Sequence, residues 1–223
     1  MGQTAQASGT ASLSNGQSQA VTSGWRSDAS SVATVTDAGL VTGVSNGRAT
    51  IYVVYGGRQG QQLIRVVPDY QGSWEGGLRV TSCSETGVFP SIDFCKILAV
   101  GTVDGYSLAL AQAGEQMTAR LAFGSITFPT VPAPIGEDGL ASFAATYVDT
   151  SNGLAIDATV AINSLRIGEL TGTVSEVWTV PGETGEGRLE ESIVGTTRTS
   201  TTARVSGTRA SDKLRLFDGL RRP

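Results

Sequence analysis

Short runs of alternating apolar and polar residues, separated by turns rich in Gly, Asn and Asp, recur along most of the chain. Between residues 10 and 67 these runs include Val32 and Val35 among small polar residues, and a β-branched stretch at 49–55. Because side chains alternate between the two faces of a strand, a period of two predicts β-strands rather than helices. Six or seven short strands in this stretch indicate a small β-sandwich.

Beyond residue 69 the alternating runs are longer. Tyr106, Leu108 and Leu110 alternate up to a turn at 113–114, and the chain then alternates back to Phe123. A second hairpin is predicted from Phe143 to residue 162, and further strands at 165–179 and 193–205 flank a Gly- and Glu-rich turn at 181–187. About eight antiparallel strands joined in sequence order predict an up-and-down β-barrel.

The domain organisation follows from these patterns. Residues 1–9 are Gln, Ala, Ser and Gly without a period, which predicts a disordered start. Residues 10–68 form the sandwich and end at Pro68, because proline cannot continue a ladder. Residues 69–206 form the barrel, and 207–223 form a basic flexible tail. The predicted fold class is therefore all-β.

Composition and charge exclude several classes of function. The chain has no His, which removes the usual general base, the commonest metal ligand and every Ser-His arrangement. Residues 1–68 carry a charge of +2, residues 69–200 a charge of −10 and residues 201–223 a charge of +4. An acidic middle argues against a nucleic-acid platform, which needs clustered Lys and Arg. No cofactor, no metal and no nucleic-acid partner are expected.

The two cysteines bear on the compartment. Cys83 and Cys95 lie in one short segment, and no other Cys or His completes a zinc site. A disulfide is the simplest pairing and favours an oxidising compartment, while two reduced, buried thiols are the alternative. No apolar run is long enough to span a bilayer, and residues 1–13 lack the features of a signal peptide. The sequence therefore indicates a removed signal or a start that lies upstream.

Ordered anchors in the first domain resemble the bacterial immunoglobulin-like domain, group 2. Trp25 is followed by a Val-Ala-Thr-Val run, a turn, Gly-Leu-Val-Thr-Gly-Val, Gly-x-Ala-Thr-Ile and a last strand at 63–67. The similarity covers residues 10–67. It implies an Ig-like sandwich of bacterial surface and secreted proteins, an extracellular or cell-surface location, and no catalytic residue. Trp25 is expected in the core between the sheets rather than as a platform for a carbohydrate ring.

The second domain resembles the calycin barrels of the lipocalin type. Gly72, Ser73 and Trp74 match the Gly-x-Trp that begins these barrels, and the basic residue that covers the Trp is predicted to be Arg198 or Arg204. Residues 108–119 are similar to the Leu-x-Leu-x-Gln-x-Gly-x-x-Val-Thr-Gly hairpin of small secreted lipocalin-like proteins, with Met117 and Ala119 in place of Val and Gly.

Candidate chemistry in the barrel is sparse. Acidic pairs occur at Glu137 and Asp138, at Glu183 and Glu186, and at Glu190 and Glu191. Glycoside cleavage needs two carboxyl groups that face each other across a cleft, whereas neighbouring residues of a strand point to opposite faces, so we expect solvated surface residues. The large side chains predicted for the barrel interior either fill it as core or line a ligand cavity. They are Trp74, Tyr106, Phe123, Phe143, Tyr147 and Trp178.

Three hypotheses of function follow. The first is a non-enzymatic secreted or cell-surface interaction or adhesion protein, with a protein or a cell-surface glycan as partner, in which an Ig-like module presents the barrel. The second is a carrier of a small apolar ligand in the barrel. The third is a structural subunit of an extracellular assembly, because exposed edge strands and the β-prone stretch at 199–205 favour self-association with a neighbouring chain.

Overall fold

The computed structural model describes residues 2–199 and divides the chain into two compact units. Unit 1 holds the chain up to Asp69 together with Gly136–Gly139, and unit 2 holds Tyr70–Ile135 and the chain from Leu140 onward. The strand end predicted at 200–205, the basic tail at 207–223 and Arg204 lie outside the described residues. No helix among residues 2–199 is long and apolar enough to cross a membrane.

Unit 1 is an Ig-like arrangement of eight short strands in three sheets. The sheets have the orders β1-β6-β5, β2-β3 and β4-β7-β8. The strands are β1 (Thr4–Gln6), β2 (Gly9–Ser12), β3 (Ser18–Val21), β4 (Trp25–Ser27), β5 (Ala33–Val35), β6 (Leu40–Gly43), β7 (Gly47–Tyr55) and β8 (Arg58–Val66).

Two predictions about unit 1 were wrong in detail. Residues 4–6, predicted to be disordered, form β1 and pair antiparallel with β6, from Thr4 opposite Thr42 to Gln6 opposite Leu40. This pairing joins residues far apart in sequence, so local composition carries no sign of it. The last strand begins at Arg58 rather than at residue 63, because Gly56 and Gly57 both have positive φ and form a tight hairpin turn.

Unit 2 is a nearly closed antiparallel barrel, which confirms the predicted fold class. The strand order is β12-β11-β10-β9-β17-β16-β15-β14, and β13 pairs with β11 near the remaining gap. The strands are β9 (Gly72–Glu85), β10 (Val103–Ala113), β11 (Gln116–Phe123), β12 (Ile126–Thr127), β13 (Val131–Pro132), β14 (Ala141–Asp149), β15 (Ala155–Arg166), β16 (Glu169–Thr179) and β17 (Gly187–Thr199).

Two segments of unit 2 differ from prediction. The stretch between the cysteines contains a 3-10 turn (Phe89–Ile92) and the short helix α1 (Phe94–Ile97), in a domain for which only strands and turns were predicted. The strand β17 begins at Gly187, within the supposed turn, and not at residue 193. Pairing with β9 on one side and β16 on the other holds these first residues of β17 in the barrel wall.

The interior of the barrel is built from the inward positions of each strand. Leu78 on β9, Leu108 on β10, Val160 on β15, Val174 on β16 and Leu189 on β17 are all buried. Their alternation with exposed neighbours follows the pleat, so each strand turns one face to the core and one to solvent. The period of two in the sequence therefore reflects strands that each bury one face in the barrel interior.

Candidate functional site

One end of the barrel is closed around Trp74. Its indole Nε1 donates to the carbonyl oxygen of Tyr70 at 2.9 Å, and Tyr70 is itself buried. Gln112 accepts a hydrogen bond from the Tyr70 amide at 2.8 Å and donates to the carbonyl of Gly114 at 3.0 Å. The Gln of the predicted hairpin thus ties the chain that enters the barrel to the β10–β11 turn.

Arg198 covers the Trp74 ring. Its guanidinium carbon lies 5.8 Å from the ring centroid, and a guanidinium nitrogen donates to the carbonyl oxygen of Gln71. A cation over an indole face is attracted by the ring quadrupole. Of the two basic residues considered for this position, Arg198 is therefore the one that the described structure brings to Trp74.

The opposite end of the barrel is covered by a disulfide-bonded cap, defined here as residues 86–97. Cys83 of β9 and Cys95 of α1 are bonded, which confirms the predicted disulfide. The cap buries Phe89 and Phe94 completely, with their rings edge-to-face and 5.3 Å apart. Phe94 also meets Trp178 of β16 at 6.2 Å. The cap therefore adds an aromatic layer over the interior at this end.

A glycine makes room for this layer. A Cβ built on Gly187 would lie 2.7 Å from ring atoms of Phe94 and 2.9 Å from Phe89, closer than packed carbon atoms approach. The start of β17 therefore needs a residue without a side chain beneath the two rings.

Five of the six candidate cavity residues are buried in the barrel, and Tyr147 is half-buried. Trp74 and Trp178 lie towards opposite ends, as the pairing of β9, β16 and β17 requires. Phe128 connects two of the others, since its ring lies 5.9 Å from Phe123 and 6.2 Å from Tyr147. A ligand cavity formed by these residues stays a prediction.

Two glutamates point into the barrel wall, of which the sequence analysis did not single out Glu176 and expected Glu191 at the surface. Glu176 is 0% exposed and Glu191 is 1% exposed. They lie on neighbouring strands and the same face, because Val174 pairs with Glu191 and Glu176 stands two residues further along β16. Glu176 accepts a hydrogen bond from the Trp178 indole Nε1 at 2.8 Å. Their inward positions in the alternation of β16 and β17 were the available signal.

The acidic pairs do not form a facing pair of carboxylates. Glu190 is exposed and accepts a hydrogen bond from Ser175, whereas Glu191 is buried, so the expectation of a solvated Glu191 was wrong. Glu183 is exposed in the turn, and Glu186 forms a salt bridge to Arg188 at 2.5 Å that lowers the pKa of Glu186. The alternation of β17 puts Glu190 and Glu191 on opposite faces, and Arg188 forms a salt bridge with Glu186 but not with Glu183.

Glu137 belongs to unit 1 and is held by arginines. The Arg48 guanidinium lies 2.5 Å from its carboxylate, and Arg65 lies 3.7 Å from it. Hydrogen bonding to Arg48 lowers the pKa of Glu137 below its ordinary value. Arg65 and Asn46 also donate to the carbonyl of Glu137, at 3.1 and 3.0 Å. This carboxylate therefore has a structural role in unit 1.

Asp149 organises the turn after β14. Its carboxylate accepts hydrogen bonds from the Ser151 amide at 2.8 Å, the Ser151 hydroxyl at 2.9 Å and the Tyr147 hydroxyl at 3.3 Å. The bond from the Ser151 backbone is the main reason that the pKa of Asp149 lies below its ordinary value. Across residues 2–199, no three His, Cys, Asp or Glu side chains are grouped to hold a metal ion.

Titration of Tyr106 is expected to make the stability of the barrel depend on pH in the alkaline range. Burial raises its pKa above the ordinary value, partly offset by the 2.7 Å hydrogen bond between its hydroxyl and Thr196. A raised pKa in the folded state contributes stability below pH of about 10, which is lost as pH rises through the folded value.

Replacing Tyr106 with Phe is therefore expected to flatten the fall in stability above pH of about 10. Urea unfolding at several alkaline pH values measures this, with Tyr55→Phe at an exposed position of unit 1 as the matched control. An unchanged alkaline slope in Tyr106→Phe would contradict the assignment.

Unit 1 contains an open cleft beside Trp25. Its volume is about 610 Å³, and it is lined by residues of the β2–β3 hairpin and of β4, β7 and β8. Trp25 is half-buried rather than fully enclosed, and Gly9 approaches it so closely that a Cβ there would lie 3.3 Å from the indole ring. Trp25 was predicted to lie in the core between the sheets, whereas in the structure its side chain is partly exposed and lines an open cleft.

Comparison with known proteins identifies the first unit. The family model of the bacterial Ig-like domain, group 2, matches residues 1–66, which confirms the resemblance of this part of the chain. Domains of this family occur in bacterial surface proteins and are typically non-enzymatic, and they indicate a cell-surface or adhesion-type role. A comparison with curated proteins found no match.

Proposed function

Because residues 1–66 form a bacterial Ig-like domain, we propose that this chain is a non-enzymatic, secreted or cell-surface interaction protein in which that domain presents the barrel. The observation that carries the proposal is the union of this domain with a disulfide-bonded barrel in one chain. Disulfides persist in oxidising compartments, so the bond supports a location outside the cytoplasm.

The location is tested by thiol trapping in the native host. Intact cells are treated with a membrane-impermeant maleimide before and after a reductant, and labelling of Cys83 and Cys95 is measured by mass spectrometry. We expect labelling only after reduction. Labelling that requires cell lysis without any reductant would show free thiols in the cytoplasm and would contradict the proposal.

The interaction role is tested with beads that carry the full chain. We expect these beads to bind to bacterial or host cell surfaces well above beads that carry serum albumin. Equal binding of the two bead types on every surface tested would count against adhesion. A chain that is surface-located but binds nothing would leave the location intact and remove the role.

A carrier function for the barrel is a second candidate. It is favoured by the aromatic cap, because Phe89 and Phe94 cover one end of an interior that also contains Trp178. A small apolar ligand would be enclosed there by rings rather than by water. A fluorescent fatty acid is titrated into the full chain and into Ile156→Trp, a cavity-filling variant at the buried position that pairs with Trp178. Binding that the variant does not weaken rejects the interior under the cap as the site.

A further inference from the structure

The outer edge of β8 is a long, open strand edge in unit 1. β8 is the last strand of the sheet β4-β7-β8, has nine residues, and pairs within the described chain with β7 alone. The opposite edge of the same sheet is β4, which has three residues. Natural sheets protect a long edge with a charge, a proline or a bulge, because its free N–H and C=O groups recruit further strands. From Gln59 to Ile64, β8 has no charged residue, no proline and no break in register.

The hydrogen bonds of β7 show which backbone groups of β8 face this edge. Even-numbered residues of β7 bond towards β4, since the Val54 amide donates to the carbonyl just before β4 at 3.2 Å. The odd-numbered residues of β7 therefore bond to the even-numbered residues of β8. The backbone groups of Gln59, Gln61 and Leu63 consequently point outward, and among residues 2–199 they have no backbone partner. The Leu63 carbonyl accepts a hydrogen bond from the Gln62 side chain at 2.9 Å.

The side chains of these three outward residues lie on the outer face of the sheet, away from the buried Ile51. Leu63 is 53% exposed, and Val54, which pairs with Gln59, is 45% exposed. The edge thus combines free backbone groups with large apolar side chains that are open to solvent. A further β-strand would satisfy both, because it bonds to the backbone and covers the side chains beside it.

A second copy of β8 fits this edge in an antiparallel register. A twofold axis through Gln61 pairs Gln61 with itself and Gln59 with Leu63 of the second copy, so all three outward residues form hydrogen-bonded pairs. Glutamine amides both donate and accept, so Gln61 is complementary to its own symmetry mate. In this register Arg58 falls opposite Ile64 of the second copy, so no two arginines of β8 oppose each other.

We propose that unit 1 forms a twofold dimer in which the two β8 edges pair antiparallel through Gln59–Leu63. The two three-stranded sheets then become one sheet of six strands, in the order β4-β7-β8-β8-β7-β4. Leu63 of each copy packs against the Gln59 side chain of the other. The assembly closes at two copies, because each copy uses its one β8 edge. The dimer goes beyond the proposed function, which holds for a monomer as well.

The test is sedimentation equilibrium of the full chain at concentrations up to about 1 mM, where a small interface of weak affinity is populated. We expect a dimer whose fraction rises with concentration. Gln61→Lys places like charges opposite each other on the axis and should weaken the dimer about tenfold, as should Gln61→Glu. An equimolar mixture of the two variants should dimerise again, because the axis then joins opposite charges. Gln61 is exposed, so both variants keep the fold. Gln116→Lys, at an exposed position of the barrel, is the matched control and should dimerise as the native chain does.

Three outcomes overturn the inference. The first is a native chain that stays monomeric up to about 1 mM. The second is a dimer that Gln61→Lys and Gln116→Lys weaken equally, or that the mixture of charged variants does not restore, because another surface then forms it. The third is protection of the Gln61 amide from hydrogen exchange in dilute, monomeric protein, which would show that a segment of the same chain covers the edge. The β8 dimer requires this protection to appear only as the concentration rises.

Discussion

Replacing Trp74 with alanine is expected to lower the free energy of unfolding of the barrel unit by about 3–5 kcal/mol, the usual cost of truncating a buried aromatic residue. Trp74 is 2% exposed and its indole nitrogen is bonded to Tyr70, so the variant creates a cavity and leaves a buried carbonyl without its donor. Hydrogen exchange with mass spectrometry is the measurement, because it resolves the two units peptide by peptide.

Two further variants separate the contributions to the Trp74 site. Trp74→Phe keeps an aromatic ring and removes the donor, so it should cost less than Trp74→Ala. Arg198→Ala is expected to cost about 1 kcal/mol, because a guanidinium at a partly exposed site gains about that from an indole face. The double variant should then cost less than the sum of the two single variants. A Trp74→Ala barrel that exchanges at the native rate would contradict the account.

Removing the disulfide should have the second large effect. The loop-closure model assigns about 3 kcal/mol to a bond that joins residues 12 apart, and Cys83→Ser combined with Cys95→Ser removes it. The bond also holds the cap, in which the Cys95 amide donates to the Glu85 carboxylate at 2.8 Å. Denaturant unfolding of the double variant, beside the native chain with and without reductant, measures the loss.

The cap should respond before the rest of the barrel. Local opening costs less free energy than global unfolding. Amides of residues 86–97 should therefore exchange faster in the double variant than in the native chain, and amides of the central strands should remain more protected than those of the cap. The native chain in reductant should behave as the double variant does, and amides of unit 1 should be unaffected in both. A reduced native chain as stable as the oxidised one would show that packing of Phe89 and Phe94, and not the bond, holds the cap.

Predictability differed between the wall of the barrel and its ends. The β10–β11 hairpin was readable because Leu108 and Leu110 repeat every second residue up to the turn at Gly114. The cap was not readable, because Phe89 and Phe94 obey no strand period and their burial depends on the space above Gly187. The two cysteines predicted a disulfide, but not that the segment between them places two aromatic rings over the barrel interior.

The candidate sites show the same division. The adjacent carboxylates Glu190 and Glu191 formed a candidate pair in the sequence, whereas the barrel brings Glu191 and Glu176 to the same inward face of neighbouring strands. Glu191 points inward because it lies two residues after the buried Leu189 on the same face of β17, whereas Glu190 lies on the opposite face. Likewise, the sequence placed Glu137 in a barrel turn, and the structure places it with Arg48 in unit 1.

The sequence by itself determined the all-β class, the Ig-like character of the first unit, a disulfide as the simplest pairing of the two cysteines, and the tryptophan and arginine of the barrel end as a candidate pair. These features depend on local periodicity, on residue type, or on motifs of fixed spacing, which are present in the unfolded chain. Tertiary structure alone decided that β1 pairs with β6, that the β2-β3 hairpin pairs with neither of the other two sheets of unit 1, and that the pairing of β16 with β17 brings Glu176 and Glu191 to one face. Each of these depends on pairing between segments distant in the chain, whose register no local pattern specifies.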